Sequence, residues 1–331
     1  MNDCVLFPLL LVLGSCSSVT HDDRIQRERE NIISVKEHLI EFNQEDVILP
    51  YSSIAVGGNF LVLEGEDDYG CLFHIFSRDS LTYIGSFGRR GQGPGEIVNM
   101  GPPVLTTQGR DMYVTDFGHY LIYQYDVDSA LRMPNYMPLV KRRLQHTIFP
   151  SEYQYLSDTL SYGVFVKPTS TSSFEQVAGK WNLKTGEMTE LDYQHPDLRI
   201  KRIHVAVSLP NKTYVEVNNR YDLISYFDLE GHLKWNVYGP NWDQRGDYKR
   251  HFTDAFVYHD YLITSYNGSP WEEHMSPITL CPIFDMEGNY IKTLDIGYSI
   301  AWMAVDEQYD RLLFCLDDSM QFAYLDLKEV L

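Results

Sequence analysis

The sequence predicts an all-β fold, and three observations carry that expectation. Of 331 residues, 24 are Tyr and 16 are Phe, a bias towards strand formers within an apolar fraction of 44% that suffices for a full core. Short runs alternate apolar and polar residues, as in Asp111-Met112-Tyr113-Val114-Thr115-Asp116 and Leu121-Ile122-Tyr123-Gln124-Tyr125-Asp126, the period of a strand rather than a helix. A third signal is a repeat: an apolar, usually aromatic residue, a polar residue, an apolar residue and a polar turn, seen at Phe76, Tyr125, Trp181, Phe227, Phe284 and Leu325. These anchors are separated by 49, 56, 46, 57 and 41 residues, close to the roughly 40–50 of a four-stranded propeller blade. Six occurrences predict a six-bladed β-propeller of four-stranded blades, closed by an N-terminal strand.

Taken in order, residues 5–13 form an apolar run too short to span a bilayer and long enough for a signal-peptide core. The run ends in Leu13-Gly14-Ser15-Cys16, which resembles the bacterial lipoprotein box, with Cys16 as the lipidated residue; the n-region Met1-Asn2-Asp3 lacks the usual Lys or Arg. The competing reading of this run is a buried N-terminal strand. Residues 17–31 read as a polar tether, and residues 32–331 as the propeller. The last unit stops at Leu331, just after its hairpin turn, so it is expected to take its outer strand from elsewhere. The run from Ile32 to Ile40 is the expected donor, which would leave no long exposed edge. Val35, Leu39 and Phe42 also fit helical spacing, so a short amphipathic helix stays open as the alternative.

Between residues 88 and 95 the chain holds Gly88, Gly91, Gly93, Pro94 and Gly95. Neither a helix nor a sheet interior tolerates that density, because glycine costs entropy and proline removes a donor. No helix follows to supply the positive end of a phosphate cradle, so the stretch reads as a tight crossover from one blade to the next. The Thr185-Gly186, Glu230-Gly231 and Glu287-Gly288 pairs suit hairpin turns that need a positive φ.

Residues 86–126 resemble an NHL repeat on Gly88, Gly91, Gly93, Pro94, Gly95 and Glu96, then Tyr113-Val114, Asp116, Ile122 and Tyr125, with Thr106-Thr107-Gln108-Gly109 where such repeats carry a Val-Asp and glycine turn. With its lipoprotein-like start, the whole chain is similar to the six-bladed, TolB-like propeller lipoproteins of Bacteroidetes. That resemblance implies a bacterial cell-envelope protein held at the outer membrane, periplasmic or surface-exposed, by its lipid alone. It implies no particular ligand, because propellers host enzymes and passive scaffolds alike.

Strand direction alternates within a blade, so the loops between blades share one face with those joining second and third strands. That face gathers Arg89, Arg90 and Gln92, then His119 and Tyr120, Arg220 and Tyr221, and Trp271 and His274. Aromatic, amide and charged groups around a funnel suit a polar ligand or an envelope protein partner, and Arg89 with Arg90 could hold a carboxylate or sulfate. A surface pair balancing Glu96 and Asp116 is the plainer reading of the two arginines. These residues are the candidate binding set, with no catalytic residue, cofactor or metal assigned.

Chemistry is otherwise scarce in the sequence. A formal net charge of −19 excludes a nucleic-acid partner, which would need a cationic face, and favours a soluble monomer. None of the 11 histidines lies in a His-x-His or His-Glu-x-x-His arrangement, although His119, Glu273 and His274 could converge. NHL-type lyases hold a metal by histidines on such a face, so a metal-assisted hydrolase or lyase in the central funnel is the alternative function. There is no Gly-x-Ser-x-Gly elbow and no sialidase-type aspartate box. Of the five cysteines, Cys71, Cys281 and Cys315 lie in strand-like runs. They read as small buried hydrophobes or, for Cys281 and Cys315, as a bridge between neighbouring units. Asp-Ser/Thr tripeptides at Ser80, Ser129, Thr159 and Ser319 resemble the O-glycosylation pattern of Bacteroidetes secreted proteins, and equally suit turns.

Overall fold

The computed structural model describes residues 23–42, 47, 49, 53–106, 110–170, 173–243, 249–270, 273 and 276–331. Six antiparallel sheets are arranged as the blades of a propeller. Blade one comprises Ser53–Gly57, Phe60–Glu64, Cys71–Ser77 and Tyr83–Arg89, in order from inner to outer strand. Blade two comprises Val104–Leu105, Asp111–Asp116, Leu121–Asp126 and Leu139–Arg143, and blade three Phe149–Ser157, Leu160–Pro168, Phe174–Trp181 and Met188–Leu191. Blade four holds Ile203–Ser208, Thr213–Asn218, Leu223–Phe227 and Leu233–Tyr238; blade five holds Phe252–Tyr258, Tyr261–Tyr266, Leu280–Asp285 and Tyr290–Asp295. Blade six is Ile300–Asp306, Arg311–Leu316 and Phe322–Asp326, with Ile40–Glu41 as its outer strand. Each of the six repeat anchors falls in the last two residues of a third strand, which is why one pattern marked every blade.

The core explains why these strands are apolar on both faces. Among the described residues the buried side chains gather in six clusters, one between each pair of neighbouring blades. Alternate residues of a strand point to opposite faces. Val62 therefore meets blade two while Leu61 and Leu63 meet blade six, and Met112 and Val114 meet blade one while Tyr113 meets blade three. The cluster between blades six and one, with Leu61 against Leu313 and Cys315, closes the ring.

Closure uses more of the N-terminus than one strand. Ile40–Glu41 pairs antiparallel with blade six, as Tyr324↔Ile40 and Ala323↔Glu41. Ile32–Ser34 instead adds a fifth strand to blade five, parallel to Thr293–Asp295, and Lys36–His38 forms a 3-10 turn between the two. The expected polar tether also ends sooner than residue 31. Arg24–Ile25 runs parallel to Val237–Tyr238 of blade four, and Arg29 reaches Asp222 at 2.8 Å with both side chains almost wholly buried. The Arg29 guanidinium lies 5.3–5.4 Å from the rings of Phe252, Tyr266 and Phe284. Local composition reads as a tether because the partners of Arg29 are some 200 residues away.

Two further local expectations met different outcomes. Gly186, Gly231 and Gly288 adopt the positive φ their turns need (80°, 92° and 88°). After Asp126, however, the chain forms a short helix, Val127–Arg132, rather than a hairpin turn. The Asp126 side chain accepts the Ser129 N–H as an N-cap, and Val127 and Ala130 are buried. Cys281 and Cys315 are not bridged: they sit in separate core clusters, while Cys71 is half-buried.

Candidate functional site

In each blade the inner strand starts on the face that carries the inter-blade loops, so its first residues line the mouth of the central channel. Three inner strands carry one extra residue at this level. Ser151 has no partner between the pairs Pro150↔Phe165 and Glu152↔Val164, and Thr253 none between Phe252↔Tyr266 and Asp254↔Ser265. Ala301 is likewise skipped between Ile300↔Leu316 and Trp302↔Cys315. A bulge bends a strand and re-aims the next side chain. The next residues are Glu152, Asp254 and Trp302, and all three line two adjoining cavities, of about 90 Å³ and about 200 Å³. Hydroxyls hold two of the bulges: Ser151 Oγ donates to the Val164 carbonyl at 3.0 Å, and Thr253 Oγ1 meets Ser265 Oγ at 2.7 Å.

The smaller cavity adds His204, Thr253 and Ser265 to the shared residues, with Ile278, Ile300 and Ala301 as apolar wall. The larger one is mostly apolar, with Ile54, Pro103, Val104, Val205 and Phe256 among its walls. His204 Nδ1 stands 3.2 Å from Glu152 Oε1. Burial disfavours a charge on His204, but the Glu152 carboxylate beside it, together with Asp254, outweighs burial and holds the imidazole pKa up at about 9. Burial, opposed by His204 and reinforced by Glu152, pushes Asp254 up to about 7. At neutral pH the cluster therefore holds an imidazolium, His204, beside a carboxyl, Asp254, that is poised to ionise. Clefts with such perturbed groups are where binding and catalytic sites concentrate.

Of the rim residues expected from sequence, most of those described serve the loops that carry them. Arg90 pairs with Glu66 at 2.8 Å and donates to the Val98 carbonyl, so its partner is Glu66 rather than Glu96 or Asp116. Glu96 instead accepts the Gly93 N–H at 2.8 Å and fills the crossover loop so closely that a Cβ on Gly91 would lie 1.9 Å from its Oε2. Arg89 is exposed at the end of the outer strand and borders a groove between blades one and two, away from the channel; Gln92 is exposed in the loop. His119 Nδ1 lies 2.7 Å from the buried Asp116 carboxylate, which also accepts the Val98, Asn99 and Gly118 N–H groups. Tyr120, at φ 53°, packs against His146 in a tilted ring contact, with centroids 4.0 Å apart. The Arg220 N–H donates to Asn218 Oδ1. Tyr221 is buried and its hydroxyl accepts the Arg199 N–H, so it supports its loop rather than facing solvent. Trp271, His274 and the lipidation candidate Cys16 lie outside the described residues.

Sequence reasoning missed Glu152, His204, Asp254 and Trp302. One signal was available for the three polar residues: each interrupts the start of a blade's first strand, as in Ile203-His204-Val205 and Phe252-Thr253-Asp254-Ala255, where a strand buried on both faces should be apolar. Among the described residues no three of His, Cys, Asp and Glu are arranged to hold a metal ion.

This fold and channel define a six-bladed β-propeller. No family model matches the chain, and no curated protein matches it closely. Solved structures do share the fold. A Bacteroides fragilis protein named as a candidate exported protein is similar at a TM-score of 0.52 and 12% identity, over 89% of this chain and 88% of that one. A member of the DUF4221 family from Bacteroides vulgatus is similar at 0.55 and 9% identity, over 87% and 97%. Regucalcin of Agrobacterium tumefaciens, a calcium-binding protein, is similar at 0.56 and 8% identity, over 89% and 94%. At these identities the likeness shows the fold.

Proposed function

We propose that this chain is an exported, lipid-anchored propeller that binds a small polar ligand in the funnel of its inter-blade face, without catalysis. One observation carries the reading: three bulged inner strands aim Glu152, Asp254 and Trp302 into adjoining cavities beside His204. Bulges re-aim side chains and are over-represented beside active sites, and polar groups converging on a cleft suit a ligand. Export and anchoring are supported by the apolar run ending at Cys16, and the fold is shared with a candidate exported protein of Bacteroides fragilis. Native mass spectrometry of protein purified from an envelope fraction tests the reading. A small molecule retained by wild type and lost from Trp302→Ala is expected; an identical mass profile for both proteins refutes it.

A second reading, a hydrolase or lyase working from the same funnel, is favoured by Asp254 alone, since a carboxyl that titrates near pH 7 suits a general acid or base. Turnover of a retained ligand, abolished in Asp254→Asn, would establish it over simple binding.

A further inference from the structure

We propose that the funnel takes a small organic cation, whose ammonium group rests on Asp254 while its hydrocarbon part lies against Trp302 in the larger cavity. This rests on the funnel being the ligand site, and it adds the ligand's class. Charge selects it first. His204 lies 3.2 Å from Glu152 Oε1 and is the single cation that acts on Asp254, which also accepts the Ala255 N–H, so two carboxyl groups share one imidazolium. An anionic ligand would bring a further negative charge against two carboxylates. Shape selects it next. The two cavities share Asp254 and Trp302, and both have apolar walls, with His204 and the hydroxyls of Thr253 and Ser265 added in the smaller one; this suits a hydrocarbon body with one charged end, and an indole attracts an ammonium group through its ring face. At about 200 Å³ the larger cavity is below the roughly 300–1,000 Å³ of drug-sized sites, so the ligand is of metabolite size. Donor geometry decides between an organic cation and a metal ion, since Glu152, His204 and Asp254 are not arranged as metal ligands.

Binding should be linked to a proton. His204 of blade four and Glu152 of blade three act on Asp254, and the buried Cys281 lies on the third strand of its own blade. Below pH 9 His204 stays charged, so Asp254 is the group that changes. The cation needs the ionised carboxylate, and apparent affinity scales with the competent fraction. For a group titrating near 7, affinity at pH 8 should be about tenfold that at pH 6.

The test is calorimetric titration of the full chain with 2-phenylethylammonium, 2-phenylethanol and 3-phenylpropanoate. The ammonium probe is expected to bind, about tenfold tighter at pH 8 than at pH 6. The Asp254→Asn protein, shown to be folded by circular dichroism, should lose that binding and its pH dependence. Ammonium binding that survives in Asp254→Asn, or a preference for the alcohol or the carboxylate, overturns the cation assignment. Should one of those two bind and be lost in Trp302→Ala, the funnel stands as a site for another class. Should none of the three probes bind, the funnel reading falls as well.

Discussion

Replacing Asp254 with asparagine is expected to stabilise the folded protein at pH 8 and to leave it unchanged near pH 4. The folded state raises the Asp254 pKa to about 7 from an ordinary 3.8, so folding favours the protonated form. The stability this contributes is fully present below pH 3.8 and is lost as pH rises through 7. At 1.36 kcal/mol for each tenfold change in the acid constant, the ionised carboxylate costs the fold at most about 4 kcal/mol at pH 8. Asparagine avoids that cost and can still accept the Ala255 N–H. It also removes one of the charges that hold up the His204 pKa, so the net gain should be smaller, roughly 1–3 kcal/mol. In a chain of this size that is a rise of about 2–6 °C in the thermal midpoint. The assay is thermal unfolding of both proteins from pH 4 to 8, read as their difference so that other titrating groups cancel. A variant that melts at or below wild type at pH 8, or a difference that does not vary with pH, would refute the account of Asp254 as a carboxyl buried at a cost.

Three further outcomes concern other parts of the molecule. Asp222→Ala should cost about 3–5 kcal/mol by leaving Arg29 charged and buried, and limited proteolysis should then release residues 23–34 before the blades; equal resistance of both proteins would show that the strap does not depend on this pair. Gly91→Ala should displace the Glu96 carboxylate from the Gly93 N–H, lowering stability by about 1–3 kcal/mol in denaturant titration, and an unchanged midpoint would disprove that role. Cys16→Ala should move the protein from the membrane to the soluble fraction and remove a lipid mass; an unmodified wild-type mass would end the anchoring proposal.

The glycines and proline between residues 88 and 95 were legible as a crossover because their chemistry is local. Backbone freedom and the lost donor act at the residue itself, and the structure adds only that Glu96 fills the turn. Asp126, by contrast, suits a hairpin turn in the sequence and caps a helix in the structure. Both roles use one side-chain acceptor, and burial of Val127 and Ala130 against blade one selects the helix.

The repeat pattern by itself determined the six blades, their order and the face on which their loops gather, since each blade's period is set by alternation and turn chemistry within some fifty residues of chain. Tertiary structure alone decided the rest. Arg29 became a buried clamp only because Asp222 and three aromatic rings come to it from blades four and five. The bulges at Ser151, Thr253 and Ala301 arise from pairing between strands, which no single strand reveals. Glu152, His204, Asp254 and Trp302 come from four blades, and the shifted protonation of His204 and Asp254 exists only where ring closure brings these groups together.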